Sequence, residues 1–491
     1  MYLEALEICR HLAQSNPQAY EPDVALTLNN LAALYSDTQR FTESEAMYKE
    51  ALEIYRRLAQ TNPQAYEPDV TMTLNNLANL YKNIQRFTES EAMYLEALEI
   101  RRRLAQTNPQ AYESDVAQTL YNLANLYSNT QRFSESEAMY KEALEIRRRL
   151  AQSNPQAYEP DLAASLNNLA NLYKNTQHFT ESEAMYKETL EIYRRLAQSN
   201  PQVYEPYMAG ILNNLALLYS ETQRLTESEA MCKEALEIRR RLAQTNPQAY
   251  EPDVAQTLNN LANLYSDTQR FTESEAMYKE ALEIRRRLTQ TNPQAYEPYV
   301  AQTQYNIGFL KLRQEQYAAA IPAFEESLEI CRRIAMINPA QQQWYENSLY
   351  FLSQLYPAVK NYSSAYRINQ EWLPIAKKKY EENPENLKGD YAGAVGSQSW
   401  YAIFMKQYAE SEQLAHEGLS VDSTQHVIYT NLAAALLFQG KYTESEKIYQ
   451  QYKSELKDGF LDDFQQFAEA GVIPKEREAD VERIKKMLNE E

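Results

Sequence analysis

The sequence predicts an all-α array of stacked helix pairs, and three observations carry that prediction. A 46-residue period runs through the chain: the aromatic of "FTESEAMY" and its variants is Phe41, Phe87, Phe133, Phe179 and Phe271, with Leu225 in the same series and Tyr317 continuing it. The tyrosine of "NPQAY" and its variant keeps the same step at Tyr20, Tyr66, Tyr112, Tyr158, Tyr204, Tyr250 and Tyr296. Glycine is nearly absent, since only Gly210 and Gly308 of nine precede residue 389. Self-similarity of this kind marks a repeat architecture. A helix pair that cannot bury both faces alone must stack on its neighbours as a solenoid.

The chain opens on 1–20, where "MYLEALEICRHLAQ" matches "MYKEALEIYRRLAQ" at 47–60 and reads as a second helix without its first. The expectation is either an N-terminal cap or a fragment of a longer array. The fragment is favoured, because the segment is no more polar than its internal copies. Seven regular units occupy 21–340. In each, a first helix is expected over a stretch such as Asp69–Lys82, with Leu74, Leu77, Ala78 and Tyr81 on one face. A second helix is expected to begin at Thr88, where "TESE" reads as a capping box of Thr88 and Glu91. Its buried stripe is Met93, Tyr94, Ala97, Leu98 and Ile100, and Arg101, Arg102 and Arg103 read as solvated charge at its end. "TNP" is expected to stop that helix, "QAYEPD" to turn the chain, and Pro with Asp to restart the next first helix. Three divergent units follow over 341–455, marked by Tyr362, Tyr408 and Tyr442, the last step being 34 residues. Residues 456–491 read as two amphipathic capping helices.

Composition narrows the function classes. The 491 residues are 44% hydrophobic with a formal charge of −19 and no basic stripe, which argues against a nucleic-acid partner. No apolar run approaches the roughly 18 residues of a membrane span, and no leader is visible, so no membrane partner is expected. Cys9, Cys232 and Cys331 lie far apart without a CxxC, which suggests neither disulfides nor zinc and points to a reducing, cytoplasmic setting. His11, His178, His416 and His426 are scattered, and no catalytic motif is present. "GDYAGAVG" at 389–396 lacks the Lys-Ser/Thr of a phosphate loop and reads as small residues in a helix contact or turn. Glu43 and Glu45 recur through six of the seven regular units, as a scaffold feature does. The chain is therefore expected to be no enzyme and to need no cofactor or metal.

The spacing of Leu28, Leu31, Ala32 and Tyr35, then Phe41, Ser44, Tyr48 and Ala51, resembles the tetratricopeptide repeat signature over about 21–455. "LNNLANLY" and "ALEI" are similar to phrases of the longer, kinesin-light-chain-like variety, with four extra residues in "AQTNPQAYEPD". Ser44 and Ser90 stand where the family usually has Ala, and repeats eight and nine lack "NNLA". The resemblance implies a right-handed α-α superhelix whose first helices line a concave inner surface. It also implies that the column of Asn30, Asn76, Asn122, Asn168, Asn214, Asn260 and Asn306 presents amides to a bound peptide.

Asn75, Asn76 and Asn79 share one helical stripe, and Asn79, Asn125, Asn171 and Asn263 form a second column. A carboxamide carries donors and an acceptor, so a row of them can pair with an extended backbone. The alternative is that the amides bond to each other between adjacent first helices. Lys82 and Lys174 are isolated, so a clamp for a terminal carboxylate is not expected. Gly210 opens space, and Leu217 and Phe309 replace Asn in the second column, which suggests apolar anchor points. The expected function is a non-enzymatic scaffold holding an extended protein or peptide segment in a nearly uncharged groove. The alternatives are the regulatory or targeting part of a longer, enzymatic protein, or a weakly self-associating array.

Overall fold

The computed structural model describes residues 2–335 and 341–490 and divides into two compact units, Met1–Thr245 and Asn246–Glu491. Met1 and the boundary expected at 340 lie outside the described residues. The first unit runs α1 (Tyr2–Ser15), α2 (Pro17–Asp37), α3 (Phe41–Thr61), α4 (Pro63–Asn83), α5 (Phe87–Thr107) and α6 (Pro109–Asn129). It continues with α7 (Phe133–Ser153), α8 (Pro155–Asn175), α9 (Phe179–Ser199), α10 (Pro201–Glu221) and α11 (Leu225–Thr245). The second unit runs α12 (Pro247–Asp267), α13 (Phe271–Thr289), α14 (Pro293–Arg313), α15 (Tyr317–Ala335), α16 (Gln342–Ala358) and α17 (Tyr362–Glu382). It ends with α18 (Pro384–Phe404), α19 (Tyr408–Val421), α20 (Ile428–Phe438), α21 (Tyr442–Gln451), α22 (Lys453–Glu469) and α23 (Glu478–Asn489). Even-numbered helices up to α20 are first helices and odd-numbered ones up to α21 are second helices. Each first helix packs on the second helix of its own repeat, and among the described residues there is no strand.

The period resolves into two 21-residue helices, three turn residues and a single joint residue. This corrects the expected turn at "QAYEPD". Asn62 alone separates α3 from α4: its N–H bonds Leu58 O at 3.0 Å, while its Oδ1 accepts the Ala65 N–H at 3.3 Å. Pro63 occupies the first helical position, where its missing N–H costs nothing. "NP" thus ends one helix and starts the next, and α4 begins six residues before the expected Asp69. Pro68 is accommodated inside α4, in its second turn.

The capping box is also corrected. α5 starts at Phe87, its N-cap Arg86 makes no side-chain cap bond, and Thr88 is already inside the helix. The entry angle comes from the backbone: Gln85 sits at φ 61°, and Arg86 N–H returns to Tyr81 O at 2.8 Å. The same left-handed position recurs from Gln39 to Lys406, and Gly440 takes it last at φ 82°. A non-glycine residue there costs on the order of 1 kcal/mol, which the returning hydrogen bond offsets. Glu91 reaches forward instead of back, accepting from Tyr127 Oη (2.8 Å) and Arg132 Nη1 (2.7 Å) of the next repeat.

Packing explains the serine departure from the family pattern. Ala32, Ala78 and Ala124 are fully buried where paired helices approach. Ser44, Ser90 and Ser136 donate to their carbonyls at 2.7–2.8 Å. Around them Leu28, Leu74, Leu120 and Leu166 have no solvent exposure.

The three arginines do three different jobs, which corrects their reading as one solvated face. Arg102 bridges to Glu142 of the next second helix (2.5 Å), and Arg103 to Glu67 of its own first helix (2.5 Å). Arg101 is buried, and it donates to Asp115 O (3.0 Å) and Thr119 Oγ1 (2.6 Å) of the next first helix. Arg147, Arg239 and Arg285 are buried in the same column, which Tyr55 and Tyr193 fill in other repeats.

At the C-terminal end α22 buries Phe460, Phe464 and Phe467. Phe467 packs against Trp400, Phe404 and Phe438. Gln466 accepts from Tyr362 Oη (2.8 Å), and Glu469 pairs with Lys360 (3.1 Å). The helix therefore crosses the ends of α16, α18 and α20 and does not merely cover the last pair.

Candidate peptide-binding groove

Within each unit the first helices are tied to one another by short side chains. Asn29 Nδ2 donates to Thr73 Oγ1 (2.9 Å), Asn214 Nδ2 to Asn167 Oδ1 (3.2 Å) and Asn306 Nδ2 to Asn259 Oδ1 (3.3 Å). The second helices of neighbouring repeats are spanned by long Arg–Glu pairs, such as Arg56–Glu96, Arg148–Glu188 and Arg286–Glu326. An amide reaches across a narrower gap than an arginine with a glutamate. The first-helix row is therefore the tighter one and forms the inner side of each unit.

The asparagines divide by depth. Asn29, Asn75 and Asn259 are buried between helices, and the Asn75 amide lies against the Arg101 guanidinium, from which its oxygen accepts once the amide is oriented to satisfy both groups. Asn75 is therefore not on the accessible stripe with Asn76 and Asn79. In the first column Asn30 is exposed, while Asn76, Asn122, Asn168, Asn214, Asn260 and Asn306 are half-buried. Among the described residues Asn30 and Asn76 find no side-chain hydrogen-bond partner, whereas Asn122 and Asn260 accept from Gln118 and Gln256 at 3.0 Å. Asn168 Nδ2 donates to Tyr121 Oη (2.7 Å) and Asn125 Oδ1 (3.0 Å) of the preceding repeat.

The second column has a common partner. Asn79 and Asn125 accept the hydroxyls of Tyr94 and Tyr140 at 2.6 Å, Asn171 that of Tyr186 at 2.5 Å, and Asn263 that of Tyr278. Burial pushes these four hydroxyls well above the ordinary phenol value, so they remain donors. Two breaks in the column follow the partner: Leu217 goes with Cys232, and Phe309 with Phe324, neither of which carries a phenol. Ala33 opposite Tyr48 departs from that rule. Leu217 is half-buried, Phe309 is 43% exposed, and a Cβ on Gly210 would meet nothing within 4 Å. Gly210 and Leu217 share α10 in the first unit, and Phe309 lies on α14 in the second.

Asn79→Ala is expected to cost about 1–2 kcal/mol, because it orphans the Tyr94 hydroxyl. Asn76→Ala is expected to cost less than about 0.5 kcal/mol. Urea melts of the two variants measure the gap, and adding Tyr94→Phe to Asn79→Ala restores most of the loss.

Sequence reasoning missed a second feature of the same face. Between α16, α17 and α18 lies a pocket of about 600 Å³, lined among others by Tyr350, Gln354, Trp372, Lys379, Asp390 and Gly393. Its only advance signal was "GDYAGAVG". Gly396 is a close contact, where a Cβ would fall 2.8 Å from Ile428, whereas Gly393 borders open space. Among the described residues no cluster of three or more His, Cys, Asp or Glu is arranged to hold a metal. No helix among them is long and apolar enough to cross a membrane.

These repeats define an interaction array of stacked helix pairs. Tetratricopeptide repeat models match residues 24–64, 69–149, 115–195, 207–287 and 300–335, and the chain belongs to the tetratricopeptide repeat family. Repeats of that family mediate protein–protein interaction. Three solved structures are similar to parts of it. BtubC (BKLC) from P. vanneervenii is 27% identical over 51% of this chain and 92% of its own, with a TM-score of 0.43. The apo form of RapI is 17% identical over 59% and 93%, with a TM-score of 0.38. A Podosopora anserina putative kinesin light chain with nearly identical TPR-like repeats is 16% identical over 46% and 98%, with a TM-score of 0.37. No curated protein matches the chain.

Proposed function

We propose that this chain is a non-enzymatic, cytoplasmic scaffold whose first helices hold an extended segment of a partner protein through its backbone. One observation carries the reading. In the second column the tyrosines occupy the amide oxygens of Asn79, Asn125, Asn171 and Asn263. Each Nδ2 group is thereby oriented as a donor toward a peptide carbonyl. Asn30 and Asn76, free of side-chain bonds, supply both a donor and an acceptor. Backbone pairing of this kind favours an extended segment over a folded surface. Gly210 and Leu217 add apolar contacts in the first unit, and Phe309 adds its own in the second, each selecting among such segments.

The test is partner capture by wild type and by the combined Asn30→Ala, Asn76→Ala and Asn122→Ala variant, after melts show equal stability. Loss of wild-type partners is expected; identical partner sets would overturn the groove. A second reading, weak self-association, is favoured by Tyr2, Leu3 and Ile8, which stand exposed on α1. It requires an apparent mass that rises with protein concentration.

A further inference from the structure

We infer that the pocket between α16, α17 and α18 is an anchor site for one arginine side chain of the bound segment, which deepens and rests on the groove reading above. The pocket continues the inner face: Gln354 stands at the place in its repeat that Asn79 holds in another, eight residues before the repeat aromatic. At about 600 Å³ it is ligand-sized.

Its chemistry favours a planar cation. Among its lining groups Lys379 is the only cation, and it is already engaged, with Nζ 2.7 Å from Glu346 and 5.3 Å from the Trp372 ring centroid. Asp390 is exposed and, among the described residues, is in no ion pair, so the balance of the pocket is one unpaired carboxylate. The remaining polar lining is rich in acceptors, including the amide oxygen of Gln354 and the hydroxyls of Ser353 and Ser397. Tyr350 is 49% exposed and meets Trp372 edge to face at 6.0 Å, offering a ring face on which a guanidinium can stack. Gly393 keeps the entrance open, and Asn369, buried behind it, ties α17 to the Ala394 carbonyl of α18 at 2.9 Å. A chain of formal charge −19 adds a long-range field of the same sign. Arginine satisfies these groups better than lysine, because its fork stacks and donates at once.

The experiment titrates the full chain with Ac-Ala-Ala-Arg-Ala-Ala-NH2, its citrulline counterpart and free arginine, following tryptophan fluorescence and calorimetric heat. The arginine peptide is expected to bind about tenfold tighter than the citrulline peptide, the difference a charge-assisted contact makes, and tighter than free arginine. Asp390→Asn is expected to remove about that tenfold preference, and Gly393→Leu to fill the pocket and abolish binding. Gly393→Leu sits in a helix with open space beside it, so the fold is retained; Tyr350→Ala is a second variant that weakens binding without filling the site. Equal affinity for the arginine and citrulline peptides, binding unaffected by Gly393→Leu, free arginine binding as well as the peptide, or no binding at all would each overturn the proposal. The two readings fail separately. Loss of the pocket with asparagine-dependent partner capture intact removes only the anchor. Arginine binding that persists while the triple asparagine variant keeps its partners removes the groove.

Discussion

Asp463→Asn is expected to stabilise the second unit above pH 7 and to flatten its stability between pH 4 and pH 8. Asp463 lies on α22 with Oδ2 out of solvent and without a hydrogen-bond partner. Burial raises its carboxyl from 3.8 to about 7, eased by the Thr430 hydroxyl and reinforced by the neighbouring Asp462 charge. Below pH 4 the group is protonated in both folded and unfolded chains and contributes nothing. As pH rises from there to about 7, the unfolded chain ionises freely while the folded chain must keep its proton, so stability falls. Above about 7 both forms are ionised, and the full penalty of about 4 kcal/mol remains as an upper bound. Asparagine has the same shape and no charge to bury. Denaturant melts of wild type and variant at pH 5 and pH 9 measure the difference between their pH slopes. Equal slopes would remove Asp463 as the cause, and loosening of α22 is the first structural consequence expected at high pH.

Arg147→Ala is expected to cost about 3–5 kcal/mol, whereas Arg147→Tyr is expected to cost less than about 1.5 kcal/mol. Arg147 is 3% exposed and, among the described residues, forms no ion pair. Its guanidinium donates to Asp161 O (2.8 Å), Ser165 Oγ (2.5 Å) and Gln118 Oε1 (2.8 Å), and lies 4.8 Å from the Tyr121 ring centroid. Burial lowers its pKa, opposed by the Asp161 and Tyr121 charges. Alanine leaves a large void and three acceptors without that donor. Tyrosine is what the chain itself places in this column at Tyr55 and Tyr193, and Tyr193 stacks there on Tyr207 at 5.5 Å. Because these bonds join one repeat to the next, the alanine variant is also expected to broaden the melt, as neighbouring repeats lose cooperativity. Equal costs for alanine and tyrosine would show that the site is specific to arginine and not generic packing.

Those arginines show where sequence reading stopped. Arg101, Arg102 and Arg103 are chemically identical, and each successive residue of a helix points about 100° further round. Which of them enters the core depends on what the next repeat places opposite. A signal was present: a column that alternates among Tyr55, Arg101 and Cys331 behaves like a buried position, because a solvated one has no reason to accept cysteine and tyrosine. The turn expected at "QAYEPD" fails for a related reason, although "TNP" does end the second helix. The same Asn-Pro that resists continuation of one helix is a favourable cap and first residue for the next, so local rules fit both readings. Thr88 and Glu91 matched a capping box, yet the left-handed residue at Gln85 sets the helix start one residue earlier and releases Glu91 to the next repeat.

The repeat length, the helical class, the alternation of first and second helices and the columns that bury leucine, alanine and tyrosine are all legible in the residue pattern alone. All of these are periodic, and periodicity is local information copied along a chain. Which asparagine of "LNNLANLY" is buried, which is bound to a tyrosine and which faces the groove is set by how the helices pack. Helix packing likewise places one arginine of three inside, carries α22 across three repeats and opens a pocket beside Gly393. Each depends on side chains from two or three helices meeting at angstrom separations, and no single helix encodes that meeting.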